Sequence, residues 1–242
     1  MTRLSFLGTG NYLTPANRYW NGFLVDDHVL VETSPTTLPH LRRLGIPVSQ
    51  LDCVLISHFH PDHTFGWPFL LLELARSARD RSRPLTVVGP PGVAAFFEEM
   101  MRFGSVMDVY DEAHDVVDIS YVDVDRTWQT AGPIRFRAVE VEHVVELQCF
   151  GYLIETGDGV VGYSGDTHPC PGLDELAEHA GTLVLECNGL HASKSHMDVE
   201  SVNALHARHP ATRLVVTHLG EGVDRGGFAA VTIPEDLETL EV

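Results

Sequence analysis

Four side chains that commonly bind metals fall within six residues of this chain. They belong to the run Ser57-His-Phe-His-Pro-Asp-His-Thr64, which supplies His58, His60, Asp62 and His63. The run directly follows Leu51–Ser57, an apolar segment that predicts a buried strand. Because side chains alternate along a strand, the first two histidines can point the same way at its end, and a turn at Pro61 would direct the aspartate and third histidine to a second position nearby.

These side chains could hold two neighbouring ions, one bound by two imidazoles and the other by a carboxylate and an imidazole. Such ligands suit zinc or a similar divalent metal. The alternative interpretation is a histidine-rich surface loop. The dense and ordered H-x-H-x-D-H spacing, placed after an apolar strand, favours the metal site.

The charge of the chain argues against a polyanionic partner. There are 34 acidic and 16 basic residues, and the formal net charge is -18. A protein that binds the phosphate backbone of nucleic acid normally presents a basic surface. We therefore expect a small-molecule substrate, and the charge disfavours a nucleic acid partner without excluding a local basic patch.

The length and the cysteines predict one cytoplasmic domain without a membrane span. No linker or low-complexity segment divides the 242 residues, so we expect residues 1–242 to form a single domain. The four cysteines are scattered and form no C-x-x-C pair, which suits a reducing compartment. The N-terminus lacks the pattern of a signal peptide, and the longest apolar run, Trp67–Leu72, is too short to cross a bilayer.

Strand-like and helical segments alternate along the chain. Predicted strands are Leu4–Leu7, Gly22–Val25, Val29–Val31, Leu51–Ser57, Leu85–Val88, Ile119–Val124, Ile134–Val141, Cys149–Glu155, Val160–Tyr163, Thr182–Cys187 and Arg213–Thr217. Predicted helices are Thr37–Leu44, Trp67–Arg79, Val93–Phe103, Leu173–Ala180 and Val199–Arg208. The acidic segment Met107–Asp118 is interpreted as a solvated loop or lid edge. Two groups of strands, each followed by helices, suit two packed sheets covered by helices on both outer faces.

The histidine run resembles the signature of the metallo-β-lactamase superfamily, and three later segments extend the resemblance. Ser164-Gly-Asp166-Thr167 is similar to the bridging-aspartate motif of that family, and His143 and His218 each end a strand where the family places a ligand. The resemblance implies an α/β fold, a four-layer αββα sandwich. It also implies two divalent metal ions per chain, with zinc favoured and manganese or iron as alternatives.

The resemblance also divides the ligands between the two ions. Metal one would be held by His58, His60 and His143; metal two would be held by Asp62, His63 and His218; Asp166 would bridge them. Two such ions can share a hydroxide that attacks an electrophilic phosphorus or carbonyl carbon.

Within the superfamily the chain is most similar to the ribonuclease Z-like branch. The segments that carry this likeness are Leu7-Gly-Thr-Gly10, Gly89-Pro-Pro-Gly92 and Phe150-Gly-Tyr152. By resemblance, His196 would contact the scissile phosphate and protonate the leaving group, and Glu186 would orient it. A carboxylate partner is expected to raise the pKa of that imidazole. Asp62 is assigned to the catalytic set as well as to the metal.

Two departures from the branch matter for function. Ribonuclease Z enzymes usually carry a long basic arm, whereas Leu153–Tyr163 is barely a hairpin, with Gly157-Asp158-Gly159 as a tight turn. In addition, Glu32 stands where the family often has a supporting aspartate.

The sequence therefore predicts a metal-dependent hydrolase. The favoured substrate is a small phosphodiester, such as a cyclic nucleotide or cyclic phosphate. Three alternatives stay open: a tRNA 3′-processing endonuclease, a carbonyl hydrolase of the thioesterase, lactonase or lactamase type, and a non-catalytic metal-binding protein. Members of the family are often dimers, so assembly into a homodimer is also open.

Overall fold

Strands and helices alternate along most of the chain, as the sequence predicts. The structure is a computed structural model, and it describes residues 1–78 and 81–242. The strands are β1 (Arg3–Gly8), β2 (Gly22–Val25), β3 (Val29–Val31), β4 (Cys53–Leu55), β5 (Leu85–Gly89), β6 (Ile119–Asp123), β7 (Trp128–Ala131), β8 (Ile134–Val141), β9 (Cys149–Thr156), β10 (Gly159–Tyr163), β11 (Thr182–Glu186), β12 (Arg213–Thr217) and β13 (Thr239–Glu241). The α-helices are α1 (Thr37–Leu44), α2 (Pro61–Thr64), α3 (Trp67–Ser77), α4 (Val93–Phe103), α5 (Met107–Val116), α6 (Pro171–His179) and α7 (Val199–Arg208).

The strands form two mixed sheets. The first has the order β13-β1-β2-β3-β4-β5-β6, with parallel pairing from β3 through β6. The second has the order β12-β11-β10-β9-β8-β7, in which β10, β11 and β12 are parallel. The β9–β10 hairpin pairs Thr156 with Gly159, so only two residues separate the strands and no arm extends between them.

Apolar side chains fill three layers of core. Phe6 and Phe23 from the first sheet meet Phe136 and Tyr152 from the second in a buried cluster between the sheets. Trp67 and other side chains of α1, α3 and α4 cover the outer face of the first sheet, whereas α6 and α7 cover the second. The order helix, sheet, sheet, helix is the predicted αββα sandwich. In the described part of the chain, none of the helices has the length and apolar character needed to span a bilayer.

Several elements differ from the sequence prediction. The segment predicted as a solvated loop forms α5, because its apolar residues Met107, Val109 and Tyr110 pack against the core of the first sheet. The sequence also missed β7, β13 and the single-turn helix α2. The helix predicted over Trp67–Arg79 is observed to Ser77, and Arg79 lies outside the described residues.

The strand directions bring several polar residues to one edge of the sandwich. Strand β9 lies antiparallel between β8 and β10, so β8 runs in the same direction as β10, β11 and β12. The residues at or just after the ends of these four strands are His143, Asp166, Glu186 and His218. In the first sheet, Glu32 and the histidine run follow the parallel strands β3 and β4. The carboxyl ends of parallel strands are where open α/β sheets bind ligands.

Candidate metal centre

Three histidines converge on one point beside Asp166. His58 Nε2 lies 2.9 Å from His60 Nδ1, and His143 Nε2 lies 3.3 Å from the same atom. Asp166 Oδ2 lies 4.0 Å from His58 Nε2 and from His143 Nε2. Ligands around a tetrahedral ion, at bonds of about 2.0–2.1 Å, are about 3.3 Å apart. The spacing of these donors therefore suits one shared divalent ion.

A second cluster lies on the other side of Asp166. Asp62 Oδ2 is 3.3 Å from His63 Nε2 and 3.4 Å from His218 Nε2. Asp166 Oδ1 is 3.5 Å from His63 Nε2, and Asp166 Oδ2 is 3.5 Å from His218 Nε2. The structure thus brings together all seven ligands suggested by the sequence, and Asp166 lies within 4.0 Å of both groups of histidines. Asp166 and His218 also form a possible ligand group with His196, which the sequence assigns a different role.

Backbone conformation sets the direction in which two of these ligands, Asp166 and His218, point. Gly165 has φ 60°, and a Cβ there would lie 2.8 Å from the Phe150 carbonyl oxygen, so glycine allows the sharp turn that presents Asp166. His218 itself has φ 51°, a conformation that costs free energy in a non-glycine residue. The tight path after β10 and β12 turns both side chains toward the cluster.

Polar groups contact the Nδ1 atoms of two histidines, His58 and His143. Ser57 Oγ lies 2.9 Å from His58 Nδ1, and the Ser195 carbonyl oxygen accepts a 2.7 Å hydrogen bond from His143 Nδ1. Such outer contacts fix the tautomer and orientation of metal-binding imidazoles. In both residues Nε2 is therefore the nitrogen left for an ion.

Glu32 supports the second cluster from behind. It is fully buried, with φ 65°, and its Oε1 lies 3.3 Å from His63 Nδ1, an ion-pair distance without hydrogen-bond alignment. Both carboxylate oxygens also lie 3.3 Å from the Ser57 backbone nitrogen, which donates to them. Glu32 therefore contacts both the backbone of the histidine run and one of its ligands.

The polar atoms at the centre fit a cation. Within the described residues, His63 Nε2 and Asp166 Oδ1 are buried without a hydrogen-bond partner. Against the lowering effect of burial, the charges of Asp62, Asp166 and Glu32 raise the pKa of His63 well above its usual value. The same negative field that favours a protonated imidazole also favours a metal ion. These buried ligand atoms without hydrogen-bond partners, together with the negative charge around them, show that the residues suit divalent metals.

His196, which is partly buried, and Glu186, which is buried, form a pair beside the centre. Glu186 Oε1 accepts a 2.8 Å hydrogen bond from the Thr167 backbone nitrogen. His196 Nδ1 is hydrogen-bonded to the same oxygen at 2.8 Å, which leaves Nε2 for a substrate. His196 Nδ1 also lies 4.0 Å from Asp166 Oδ2.

The expected rise in the pKa of His196 is wrong. Burial lowers the pKa of this imidazole below its usual value, although the nearby charge of Asp166 acts in the opposite direction. Burial and then the charge of Asp166 raise the pKa of Glu186 well above its usual value. The sequence identified Glu186 as a carboxylate partner but could not show how far burial would affect the imidazole.

The two clusters open into a cleft of about 660 Å³. Its lining residues are Tyr12, Trp20, Pro35, His60, Pro61, Asp62, Phe65, His143, Val144, Asp166, Ser195 and His196. Sequence reasoning missed Tyr12 and Trp20, because no motif or periodicity marks the part of the β1–β2 loop that follows Gly10. Lys194, the single lysine of the chain, is exposed and is not among the lining residues.

An αββα sandwich with ligands at its strand ends defines a candidate metallohydrolase, and comparison with known proteins agrees. A family model described as a beta-lactamase superfamily domain matches residues 27–219. Ribonuclease Z of Mycolicibacterium gilvum is 30% identical over 195 aligned positions, covering 76% of this chain and 68% of that protein. The chain belongs to the beta-lactamase superfamily, and its relatives there include ribonuclease Z.

Two further comparisons extend over the whole chain. Ribonuclease Z of Methanothermobacter thermautotrophicus is 25% identical over 302 aligned positions, covering 100% of this chain and 97% of that protein. The crystal structure of YhfI, a metallo-beta-lactamase fold protein from Bacillus subtilis, covers 100% of both chains at 20% identity, with a TM-score of 0.80. The predicted metallo-β-lactamase fold is therefore confirmed.

Proposed function

We propose that this chain is a metal-dependent phosphodiesterase that holds two divalent ions, with zinc favoured, and hydrolyses small phosphodiesters such as cyclic phosphates. The observation that carries the proposal is the His196–Glu186 pair beside two ligand clusters, with Asp166 lying between them. Ligands come from both sheets, which supports one functional domain across residues 1–242.

The roles of the residues follow from their positions. When bound, two divalent ions would lower the pKa of a shared water and polarise a phosphoryl oxygen. Asp166 and the two clusters would hold the ions, and Asp62 would belong to the second of them. His196 would give a proton from Nε2 to the leaving alkoxide, while Glu186 keeps Nδ1 engaged and the ring oriented.

Three observations favour a small substrate over RNA. The net charge is -18, and none of the described residues that line the cleft is lysine or arginine. The β9–β10 hairpin is closed by a two-residue turn. The alignment with the Methanothermobacter thermautotrophicus ribonuclease Z has 302 positions against 242 residues here, so at least 60 positions (302 − 242) belong to that relative alone.

One specific observation favours a second candidate. The 30% identical relative is named ribonuclease Z, so cleavage of RNA is the alternative substrate class. If this chain cleaved RNA, it would have to bind the phosphate backbone without an arm and against its own negative charge. We expect weak binding of precursor tRNA that falls steeply as salt rises.

A hydrolysis panel tests the proposal. The substrates are bis-p-nitrophenyl phosphate, cyclic nucleotides, precursor tRNA, a thioester and a lactone, assayed with Asp166→Ala as the inactive control. We expect turnover of the small phosphodiesters that the control lacks. Specific 3′ cleavage of precursor tRNA at physiological salt would establish the second candidate instead. A thioester or lactone as the better substrate would contradict phosphorus chemistry.

A further inference from the structure

Aromatic side chains line part of the cleft that also contains the metal-binding groups. We define the aromatic wall as Tyr12, Trp20 and Phe65, all of which line the same cleft as Asp166 and His196. Tyr12 is 52% exposed and Phe65 is 49% exposed, so large apolar surfaces face solvent beside the candidate reaction centre. Exposed apolar surface of this kind marks a binding site more often than a random surface position.

The wall is held in place by the backbone. The Trp20 indole nitrogen donates a 3.1 Å hydrogen bond to the Tyr12 carbonyl oxygen, which ties the two ends of the β1–β2 loop together. A Cβ at Gly8 would lie 2.1 Å from the Trp20 carbonyl oxygen, so only glycine permits this close approach of the loop to β1. Phe65 follows α2 and comes two residues after the ligand His63. Contacts within the protein therefore fix the Trp20 indole and the backbone positions that carry the wall.

The composition of the cleft limits what can bind. The described lining residues include four ligands of the candidate metal centre and His196, but no lysine or arginine that would bind a second phosphate. A cleft of about 660 Å³ is within the range that holds small molecules. These features fit a ligand with one phosphoryl group and one apolar, uncharged substituent.

Resting on the proposed phosphodiesterase function, we infer that the substrate carries a planar aromatic group on one ester, which stacks on the aromatic wall while the phosphate lies at the metal centre. Aromatic rings attract one another through their faces and edges beyond what the buried area alone provides. A nucleobase and a simple aryl group share this chemistry. Both would place their ring on the wall without needing a charged partner.

Equilibrium binding of phosphomonoesters, the products of such a reaction, tests the inference without needing catalysis. Titration calorimetry on the protein as purified compares adenosine 5′-monophosphate with ribose 5-phosphate, which differ only in the base. Phenyl phosphate and cyclohexyl phosphate form a second pair that differs in aromatic character at similar size. We expect the aromatic member of at least one pair to bind about 5- to 150-fold more tightly, the range for stacking one base.

Variants locate the effect on the wall. Phe65→Ala and Trp20→Ala should remove most of the preference for the aromatic ligand, while the affinity for ribose 5-phosphate stays the same. Phe65→Leu keeps the bulk of the side chain and should lose only part of the preference. Phe69→Ala is the matched control, because Phe69 is 55% exposed and does not line the cleft. Preference within the nucleotide pair identifies a nucleobase, and preference within the phenyl pair alone identifies an aryl group.

Two results separate failure of this inference from failure of the proposed function. Equal affinities within both pairs, or a preference that survives Phe65→Ala and Trp20→Ala, would overturn the aromatic wall even if phosphodiesters are hydrolysed. A clear preference in a protein that hydrolyses no phosphodiester would leave the wall in place and reject the phosphodiesterase function.

Discussion

Replacing His196 with alanine tests how a leaving group receives its proton. The imidazole is anchored through Nδ1 to Glu186 Oε1 at 2.8 Å, and it lines the cleft. General acid catalysis by a positioned side chain contributes about 10²–10⁴-fold, or about 2.7–5.4 kcal/mol at 1.36 kcal/mol per decade. We therefore expect His196→Ala to slow hydrolysis of a cyclic nucleotide, whose leaving group is an alkoxide, by about 10²–10⁴-fold.

The assay compares two leaving groups on the same protein samples. Bis-p-nitrophenyl phosphate releases p-nitrophenolate, which needs little protonation, so its rate should fall much less in His196→Ala. Glu186→Gln should show a milder version of the same pattern, since it weakens the anchor but keeps the imidazole. Metal content, measured on each sample, should stay unchanged because His196 is assigned outside the ligand set.

Two outcomes would refute this reasoning. Loss of a metal from His196→Ala would show that His196 is a ligand and that the clusters are divided wrongly. Equal losses for both leaving groups would show that His196 does not act as the proton donor.

Three other perturbations address the metal centre and the acid. Asp166→Ala should lose at least one ion per chain and most activity by elemental analysis and assay; unchanged metal content would contradict the bridging role. Glu32→Gln should weaken metal affinity about 10–100-fold in a chelator competition, the usual cost of losing an outer partner of a ligand; unchanged affinity would remove Glu32 from the support. Because burial lowers the pKa of His196, and bound cations would oppose its protonation further, the acid form is present at low pH and lost as pH rises. The rate ratio of cyclic nucleotide to bis-p-nitrophenyl phosphate should therefore fall with rising pH, with a midpoint below about 6.5; a midpoint above that value would contradict the assignment.

Local sequence signals were sufficient for most of the fold. The apolar segment Val29–Val31 and the amphipathic helices Val93–Phe103 and Val199–Arg208 lie where the sequence predicts them. Asp198 caps the last of these helices by accepting a 2.8 Å hydrogen bond from the Ser201 backbone nitrogen. Such elements carry periodicity and end signals within their own residues.

Other features depend on contacts between distant parts of the chain. The sequence of α5 is acidic and predicts a solvated loop, yet its partly buried apolar residues pack against the core of the first sheet. Strand β13 is only three residues long and exists because it pairs with β1 at the edge of the sheet. Phe103 completes a helical stripe in the sequence but is 87% exposed, since the helix ends beyond the core.

The candidate site shows the same division. The dense histidine run could be recognised locally, whereas Glu32 and Tyr12 reach the site only because the ends of β3 and β1 lie at the edge where the second sheet presents its ligands. The direction of the pKa shift of His196 also depends on burial, which the sequence does not reveal.

Metal titration of activity tests the central claim most directly. Protein stripped with a chelator is given increasing equivalents of Zn²⁺, and hydrolysis of bis-p-nitrophenyl phosphate is measured at each step. We expect activity to be absent without metal and to rise until two equivalents per chain are bound. Full activity at one equivalent would contradict the two-ion centre, and activity without any metal, or none at any ratio with Zn²⁺, Mn²⁺ or Fe²⁺, would contradict a metal-dependent phosphodiesterase.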